Sequence, residues 1–326
     1  MRRAARRSSK TRKALWIILT TLLIAVMGMG SWAGYLYYKG NELVGKISTV
    51  GPDESGKEVT TTAVEPAKPI TLLLMGIDFR KETGSLNSDV IMVASLNPET
   101  KSATIVSLPR DFQMKPKDRN LQSRKANYYY PHFYLQDKLT AFSNTKKLFS
   151  EFLQVPIDAA VTIDFDGFRK VIDELGGVDV NVSMDMRYVD EEDGTNINLK
   201  KGQQKLNGKQ ALDYVRYRKS NMGTDGTTDY DRNMRQQEVI HQVMEKVMSL
   251  GGVMKLGQLM DVAGDSIRTD IPGKQLMGFF QKYIGIDRSQ IDFIGLEGEW
   301  ESPFIILTQE EIDLARLSLK TELQIP

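Results

Sequence analysis

Four arginines are concentrated between residues 213 and 237, together with four aspartates, one lysine and no glutamate. A solvated surface usually mixes lysine with glutamate. A guanidinium group binds phosphate oxygens two at a time, better than the point charge of a lysine. The stretch therefore predicts either a site for a ligand with several anionic oxygens or a network of internal salt bridges. The arginines are Arg216, Arg218, Arg232 and Arg235.

The segment from Asp231 to residue 249 has the periodicity of a long helix. With Arg232 as the origin, Gln236 lies on the same face as four apolar residues that follow it, and Arg235 borders that face. An arginine that faces the interior needs an anion or several acceptors, because an unpaired buried charge is expensive. A phosphate ligand would satisfy this need. Asp229 and Asp231 would satisfy it as well, so both interpretations stay open.

The other two arginines are predicted to follow a helix that begins near Asn207. If their segment is extended, Arg216 and Arg218 project to the same side, because alternate residues of an extended chain share a side. Two adjacent guanidinium groups repel unless an anion lies between them. The more specific hypothesis is that a diphosphate binds between the two guanidinium groups. The simpler one is that nearby acidic side chains neutralise them.

Charged side chains also occur at the ends of predicted strands. Arg110 and Asp111 close the run "SLPRD", Asp78 closes "ITLLLMGID", and Asp89 comes just before the next apolar run. Ligand groups of α/β sheets often lie at strand ends, and Mg²⁺ takes one or two carboxylates together with phosphate oxygens. Taken singly, acids at such positions are more often turn or cap residues. Only their convergence with the arginines favours a metal site.

The sequence lacks the motifs of several common enzyme classes. It has no Walker loop, no GxGxxG after the first strand, no GxSxG, no HExxH and no cysteine. We predict structural or surface positions for its two histidines, His132 and His241. The chemistry that remains is phosphoryl transfer, with charge stabilised by a metal and arginines.

Strands and helices alternate along residues 70–326. The pattern predicts strands at 70–78, at 90–111 around a turn at 97–100, and near 291–296. It predicts helices from Asn207 and at 138–153, 231–249, 253–263, 273–283 and 308–319, and a strand–helix–strand unit at 159–182, whose helix Asp166 caps and Gly176–Gly177 end. Such alternation is typical of a layered α/β domain with a mixed sheet. Without a second linker, one domain is favoured over two.

The N-terminal region has a different composition. Residues 1–13 hold seven basic and no acidic side chains, which leaves 36 basic against 42 acidic side chains in the rest of the chain. Because acidic side chains outnumber basic ones in the rest of the chain, the sequence excludes a nucleic-acid-binding protein whose folded part is generally basic. Residues 14–38 carry no charge and are long enough to cross a bilayer, whereas a cleaved signal peptide has a shorter apolar region.

These features predict four segments. Residues 1–13 form a basic cytoplasmic tail, and residues 14–38 form an uncleaved transmembrane signal-anchor helix with aromatic side chains near its ends. Residues 39–69, rich in Thr, Gly, Glu, Pro and Lys, form a flexible linker. Residues 70–326 form an extracytoplasmic domain that depends on its core alone, because no disulfide is available.

Six segments resemble the LytR–CpsA–Psr family of membrane-anchored cell-wall glycopolymer ligases in order and spacing. The resemblance covers about Ile70 to Ser249. It implies a three-layer α/β/α fold with a mixed central sheet and a long apolar groove for a polyprenyl chain, after one transmembrane helix. The segments are "LLMGID" (73–78), "SDVIMVASLNPET" (88–100), "IVSLPRD" (105–111), "DFDGFRKVIDELGGVDVNV" (164–182), "LNGKQALDYVRYR" (206–218) and "DYDRNMRQQ" (229–237).

The resemblance also implies an activity and a site. The activity is transfer of an anionic glycopolymer, such as teichoic acid or capsule, from a polyprenyl-diphosphate carrier to peptidoglycan. Mg²⁺, with Mn²⁺ as the alternative, is held by Asp78 and Asp89. The diphosphate is lined by Arg110, Arg216, Arg218, Asp229, Arg232, Arg235 and Gln236. Arg110, Arg218 and Arg232 act in catalysis with Asp111, which is the candidate general base or equally a structural residue.

One position departs from the family. Its members usually have Arg-Ser-Asp where this chain has Asn87-Ser88-Asp89, so a positive charge near the metal is missing. We assign Arg80 to the diphosphate site as the compensating residue, with Arg124 as the other candidate. The aromatic residues of 124–134 are interpreted as groove or lid material.

Three other functions remain open. A hydrolase or pyrophosphatase acting on the same lipid-linked glycans would need nearly the same residues. A membrane-anchored transcriptional attenuator fits poorly, because only about thirteen residues stay inside and the body is acidic. A non-catalytic lipid-binding protein would accord with Asn87. The predicted partners are a polyprenyl-diphosphate-linked glycopolymer, peptidoglycan and the membrane, with no nucleic acid.

Overall fold

The structure of the protein is a computed structural model. It describes residues 68–80, 85–191, 194–248, 256–272 and 288–325, together with positions 34–35, 38–39, 42, 275 and 282. The predicted tail, most of the predicted span 14–38 and linker 39–69, and most of the predicted helix 273–283 lie outside these residues. Within the described part of the chain, no helix combines the length and apolar character needed to cross a bilayer.

Strands and helices follow one another along the described chain. The strands are β1 (Ile70–Arg80), β2 (Ser85–Asn97), β3 (Ser102–Leu108), β4 (Gln113–Met114), β5 (Arg124–Lys125), β6 (Ala159–Asp164), β7 (Val178–Val182), β8 (Met186–Asp190), β9 (Thr195–Leu199), β10 (Gly202–Leu206), β11 (Ile267–Thr269), β12 (Ile291–Gly295), β13 (Glu299–Glu301) and β14 (Phe304–Ile306). The helices are α1 (Tyr129–Gln136), α2 (Ala141–Leu153), α3 (Phe165–Glu174), α4 (Gly208–Arg216), α5 (Asp229–Met248), α6 (Leu256–Ser266) and α7 (Gln309–Leu323).

A mixed six-stranded sheet forms the centre of the fold, in the order β11-β6-β1-β2-β3-β12. The strand β1 pairs antiparallel with β2 and parallel with β6, and β12 pairs parallel with β3. The turn between β2 and β3 is closed by Asn97, whose side-chain oxygen accepts the backbone N–H of Glu99 at 3.0 Å. Side chains of this type stabilise turns by bonding their own backbone two residues on. The predicted strands around a turn at 97–100 are confirmed, and so is the mixed sheet.

Helices pack against both faces of this sheet. One face meets α1, α2 and α7 in a core that includes Leu73, Val106 and Phe149. The other face carries Met92 and Ile105, and Ile240 of α5 packs against it. Alternate side chains of β1, β2 and β3 are therefore apolar on both sides, which explains why these strands appear in the sequence as nearly continuous apolar runs.

A second core lies beside the sheet. It joins α3 and α4 to two antiparallel pairs, β7–β10 and β8–β9, around Ile172, Val180, Leu212 and Tyr217. This core positions Arg216, which is the last residue of α4, next to the hairpin β8–β9.

The start of α3 differs from the prediction. Asp164 caps the helix by accepting the N–H of Gly167 at 2.7 Å, and Asp166 lies in the first turn. The assignment of Asp166 as the cap was wrong because β6 leads directly into the helix, with no intervening loop. The predicted end of the helix is confirmed. Gly176 and Gly177 have φ of +77° and +89°, a region that residues with a Cβ rarely adopt.

Gly208 allows α3 and α4 to approach each other closely. Its N–H donates to Asp173 at 2.7 Å, and a Cβ at this position would lie 2.0 Å from the backbone oxygen of Arg169.

We expect Gly208→Ala to lower the free energy of unfolding by about 1–3 kcal/mol, because backbone rather than a flexible side chain must move. Thermal unfolding of the variant against wild type measures the effect. The added methyl group would also shift α4 and with it Arg216, the last residue of that helix. An unchanged melting temperature would contradict the close approach of the two helices.

Candidate active site

A β-bulge places Asp89 at the edge of a cavity. The ladder between β1 and β2 pairs Gly76 with Val90 and Ile77 with Ser88, so Asp89 is an extra residue with no partner opposite. Bulges of this kind break the alternation of side chains and redirect them. As a result Asp89 and its neighbour Val90 both line the same cavity.

Arg110 lies against Asp89 from the end of β3. Its Nη1 donates to Asp89 Oδ1 at 2.6 Å. The backbone around it is fixed, because the N–H of Asn127 donates to the Arg110 carbonyl at 3.0 Å and the N–H of Ile305 donates to the Asp111 carbonyl at 3.0 Å. A guanidinium group therefore stands next to the Asp89 carboxylate, in the region where Asn87 replaces the arginine of the family pattern.

Asp111 is buried beside Arg110 and Lys125. It is 6% exposed, and its carboxylate lies 3.0 Å from Lys125 Nζ and 3.7 Å from Arg110 Nε. It is not among the residues that line the cavity. Of the two roles considered for Asp111, the geometry favours the structural one: the carboxylate fixes the orientation of Arg110 and Lys125.

The backbone at Arg216 differs from the prediction. Arg216 is the last residue of α4, and the N–H of Tyr217 still donates to the Asp213 carbonyl at 3.0 Å. The extended segment predicted for Arg216 and Arg218 is therefore wrong at its first residue, because helical hydrogen bonding continues one position past it. Both side chains nevertheless line one cavity. The Arg216 guanidinium lies 5.0 Å from the ring centre of Phe165, which supports it from one side.

The first turns of α5 supply two more buried polar groups. Arg232 and Gln236 are 7% and 8% exposed and line the cavity, and Val239 continues the same face into the core. The predicted helix and its mixed face are confirmed. The N-terminus of a long helix carries a partial positive charge and favours an anion, so Arg232 and the helix act in the same sense.

Arg235 has a different role from Arg232. It is 4% exposed and does not line the cavity. Its Nη2 donates to the carbonyl of Tyr217 and, at 2.9 Å, to Thr227 Oγ1. Burial lowers the pKa of Arg235. The prediction that Arg235 lines the diphosphate does not fit this position. Its guanidinium group instead hydrogen-bonds both ends of the loop 217–227 and links the loop to α5.

We expect Arg235→Ala to lower the free energy of unfolding by roughly 2–4 kcal/mol, because a buried carbonyl loses a charged donor. Thermal unfolding measures this loss. The exposed Arg119→Ala is the matched control and should leave the melting temperature unchanged. A fully stable Arg235→Ala protein would contradict the fastening role.

Most of the residues predicted for the site line one cavity. It has a volume of about 590 Å³. Its charged lining consists of four arginines and one lysine against two aspartates, which makes it a site for anions. The sequence-predicted residues that meet there are Asp89, Arg110, Arg216, Arg218, Arg232 and Gln236.

The remaining predicted residues are placed less directly. Asp78 is half-buried on β1 opposite Asn87, and by strand alternation it faces the same side as Leu74, the side that carries the cavity. The side chains of Arg80 and Asp229 lie outside the described part of the chain. Arg124 is exposed and donates to Gln122 Oε1 at 2.6 Å, so it does not replace the missing family arginine.

The donor set is suitable for a hard cation. Asp78 and Asp89 lie on adjacent strands near the bulge. Two carboxylates of this kind, with phosphate oxygens, match the preference of Mg²⁺. Among the described residues, no group of three or more histidine, cysteine or acidic side chains could hold a metal by itself. An ion held by these two carboxylates would complete its coordination with water or with oxygens of a bound phosphate.

Both histidines pack against aromatic rings, in agreement with the predicted structural or surface positions. His132 stacks on Tyr128 at 4.9 Å between ring centres, and His241 contacts Phe293 at 4.6 Å. The aromatic segment 124–134 differs from its interpretation as groove or lid. Tyr129, Tyr130 and Phe133 of α1 are buried in the core, whereas Tyr128 is exposed.

The hairpin β8–β9 was not predicted as part of the site. Four of its residues line the cavity: Tyr188, Asp190, Thr195 and Ile197. A signal was present, since Tyr188 and Asp190 are two apart in a short strand and must share a face. The sequence alone did not show that this face meets the arginines.

Comparisons with known proteins identify relatives of this chain. The sequence model of the LytR_cpsA_psr family matches residues 34–320. The polyisoprenyl-teichoic acid–peptidoglycan teichoic acid transferase TagV of Bacillus subtilis is 30% identical over 296 residues, which are 89% of this chain and 71% of TagV. The transferase of the same type named TagU, from Halalkalibacterium halodurans, is 28% identical over 319 residues, 96% of this chain and 98% of TagU.

Solved structures show the same fold. The crystal structure of B. subtilis TagV superposes with a TM-score of 0.64 at 28% identity, covering 80% of this chain and 99% of TagV. The structure of TagT bound to LIIa-WTA superposes with a TM-score of 0.63 at 26% identity, covering 82% of this chain and 95% of TagT.

Proposed function

Since the chain belongs to the LytR–CpsA–Psr family, we propose that it is a phosphotransferase that moves an anionic glycopolymer from a polyprenyl-diphosphate carrier to peptidoglycan. Its relatives TagV and TagU are named as teichoic acid transferases, which makes teichoic acid the first polymer to test. The observation that carries the proposal is the convergence of Arg110, Arg216, Arg218 and Arg232 on one cavity beside Asp89.

The arginines perform the electrostatic part of the reaction. A hydroxyl of a peptidoglycan sugar attacks the sugar-proximal phosphorus, and polyprenyl phosphate leaves with its electron pair. Arg216, Arg218 and Arg232 bind the diphosphate oxygens and hold the charge that develops on them. Arg232 and Gln236 are already buried, so little solvent must reorganise around them during the reaction.

A metal ion at Asp78 and Asp89 would complete the charge balance. Mg²⁺, with Mn²⁺ as the alternative, would be held by Asp78 and Asp89 and would neutralise the diphosphate when bound. Arg110, at 2.6 Å from Asp89, orients that carboxylate.

The lipid chain requires an apolar path away from the arginines. Val90 lines the cavity and also packs with Leu74, Ile240 and Phe293 on the same face of the sheet. These half-buried side chains supply apolar surface next to the diphosphate site. They support a route for the polyprenyl chain between α5 and the sheet.

The membrane arrangement is part of the proposal. The uncharged segment 14–38 anchors the chain as a single-pass helix, the basic tail 1–13 stays in the cytoplasm, and the catalytic domain lies outside the membrane. Both substrates are then on the side of the membrane where the domain lies.

A product assay tests the function. The full-length protein in detergent is incubated with a polyprenyl-diphosphate-linked disaccharide, Mg²⁺ and peptidoglycan oligomers, and the products are followed by mass spectrometry. We expect a phosphodiester-linked adduct whose formation needs both the oligomers and the protein. Sugar phosphate released at the same rate with and without oligomers would identify a hydrolase instead. Tight lipid binding without turnover would identify a binding protein.

A further inference from the structure

The hairpin β8–β9 forms a polar side of the cavity that the proposed roles leave unused. Tyr188 and Asp190 both line the cavity from β8. The Tyr188 hydroxyl donates to Asp190 Oδ2 at 3.1 Å. A carboxylate in this setting can accept a hydrogen bond or a proton from a ligand in the cavity, and a tyrosine bonded to it fixes its rotamer.

The backbone of β8 is held against the segment that follows Arg218. The N–H of Arg187 donates to Thr224 Oγ1 at 3.1 Å, and Ser220 Oγ donates to the Arg187 carbonyl at 2.8 Å. The N–H of Val189 donates to Asn221 Oδ1 at 3.0 Å. These bonds lie on both sides of Tyr188 along the strand.

The same segment is fastened to α5. The guanidinium of Arg235 bonds the Tyr217 carbonyl and the Thr227 hydroxyl, at the two ends of the loop. Asp190 is thus tied through backbone contacts to the two elements that carry Arg218 and Arg232. A group that must act within hydrogen-bond distance of a reacting atom needs positioning of this kind.

Two other carboxylates near the cavity already have roles in the proposed site. Asp89 and Asp190 are the acidic side chains among the described residues of its lining. Asp89 is ion-paired with Arg110 at 2.6 Å and is the proposed metal ligand. Asp111 lies outside the lining and is paired with Lys125.

We infer that Asp190 accepts the proton of the attacking peptidoglycan hydroxyl, an inference that rests on the proposed transferase function. The acceptor oxygen forms a bond to the sugar-proximal phosphorus, and its proton passes to the Asp190 carboxylate. The bond from that phosphorus to the bridging oxygen breaks, and polyprenyl phosphate leaves with the electron pair. In other phosphoryl transferases an aspartate accepts the proton of the substrate hydroxyl in the same way.

The hairpin is then the acceptor side of the site. The arginines of α4 and α5 hold the phosphates, and Tyr188 is a positioning residue that orients Asp190. The charged groups that line the same cavity as Asp190 are Asp89, Arg110, Arg216, Arg218, Lys219 and Arg232.

Kinetics of Asp190→Asn in the full-length protein test the inference. The substrates are the polyprenyl-diphosphate-linked disaccharide and peptidoglycan oligomers. We expect kcat for transfer to fall by about 10²-fold or more, as for loss of a general base, while the Kd for the donor changes less than about twofold. The adjacent Glu191→Gln removes the same charge from an exposed side chain outside the cavity, and it should keep wild-type kcat.

Two further variants separate proton transfer from a structural role. Transfer by Asp190→Ala should be partly restored by added formate, a carboxylate small enough to occupy the vacated space. Tyr188→Phe should lower kcat less than Asp190→Asn and leave donor affinity unchanged. A merely structural hairpin would give neither formate rescue nor this separation of kcat from binding.

The outcomes distinguish the inference from the function beneath it. If wild type forms the adduct and Asp190→Asn forms it equally fast, the inference is wrong and the transferase stands. If Asp190→Asn loses donor affinity instead of kcat, Asp190 belongs to the donor side, and the inference is again wrong. If wild type forms no adduct, the proposed function fails and the inference fails with it.

Discussion

Replacing Arg232 by alanine is expected to lower kcat for polymer transfer by about 10²–10³-fold, or roughly 2.7–4 kcal/mol of barrier, as for loss of one preorganised donor. Arg232 is 7% exposed, lines the cavity and lies in the first turn of α5. Its charge is preorganised, since no long side chain must be withdrawn from water when the diphosphate arrives. The measurement is the rate of adduct formation at saturating donor.

Two control variants test whether the loss of rate comes from the buried guanidinium group. Arg232→Lys keeps a charge but loses the planar fork, so it should recover only part of the rate. Arg119→Ala removes an exposed arginine and should leave kcat unchanged. If Arg232→Ala transfers polymer at more than about a third of the wild-type rate and melts at the same temperature, the buried arginine is not part of the electrostatic site.

Asp89→Asn is expected to lower transfer by on the order of 10²-fold or more and to raise the Mg²⁺ concentration that gives half-maximal activity. The amide keeps the shape of the side chain but removes the charge that faces Arg110 at 2.6 Å and that would ligate the ion. Activity measured across a Mg²⁺ titration shows both effects. Asp292→Asn, a change at an exposed carboxylate on β12, is the matched control.

The metal and the ion pair can be separated by Arg110→Ala. This variant should lose rate but keep an activity that responds to Mg²⁺, because the Asp89 carboxylate remains even though Arg110 no longer orients it. A double-mutant cycle between Asp89 and Arg110 should give a coupling energy of about 0.5–3 kcal/mol, as expected for groups in direct contact. If Asp89→Asn leaves the Mg²⁺ titration unchanged, Asp89 does not hold the ion.

Much of the fold could be predicted because its patterns are local. The apolar runs of β1 to β3, the turn at Asn97 and the left-handed glycines after α3 each depend on neighbouring residues. The cap of α3 was misplaced by two residues because either Asp164 or Asp166 could serve, and only the direct passage from β6 into the helix decides between them. The hairpin β8–β9 and the pair β13–β14 were missed because short strands in polar segments carry little periodicity.

The charged residues of the site were predicted, but not which of them face the cavity. Arg232 and Arg235 are three positions apart on one helix, and both were assigned to the diphosphate from the sequence. One faces the cavity and the other bonds the backbone of Tyr217, a contact that depends on where the loop 217–227 returns. For the same reason Asp111 was left open between two roles and Asp190 was not singled out, since their surroundings come from β5 and from the segment after α4.

The bulge in β2 has an evolutionary consequence. The ladder is regular on both sides of Asp89, from Ile70–Leu96 to Gly76–Val90 and from Ile77–Ser88 to Arg80–Ser85. Removing this one residue would join the two regular parts without changing which side chains face the core. A single-codon insertion into an ordinary hairpin is therefore sufficient to add a carboxylate at the mouth of the cavity. A single-codon deletion would convert the enzyme into a well-folded protein that lacks it.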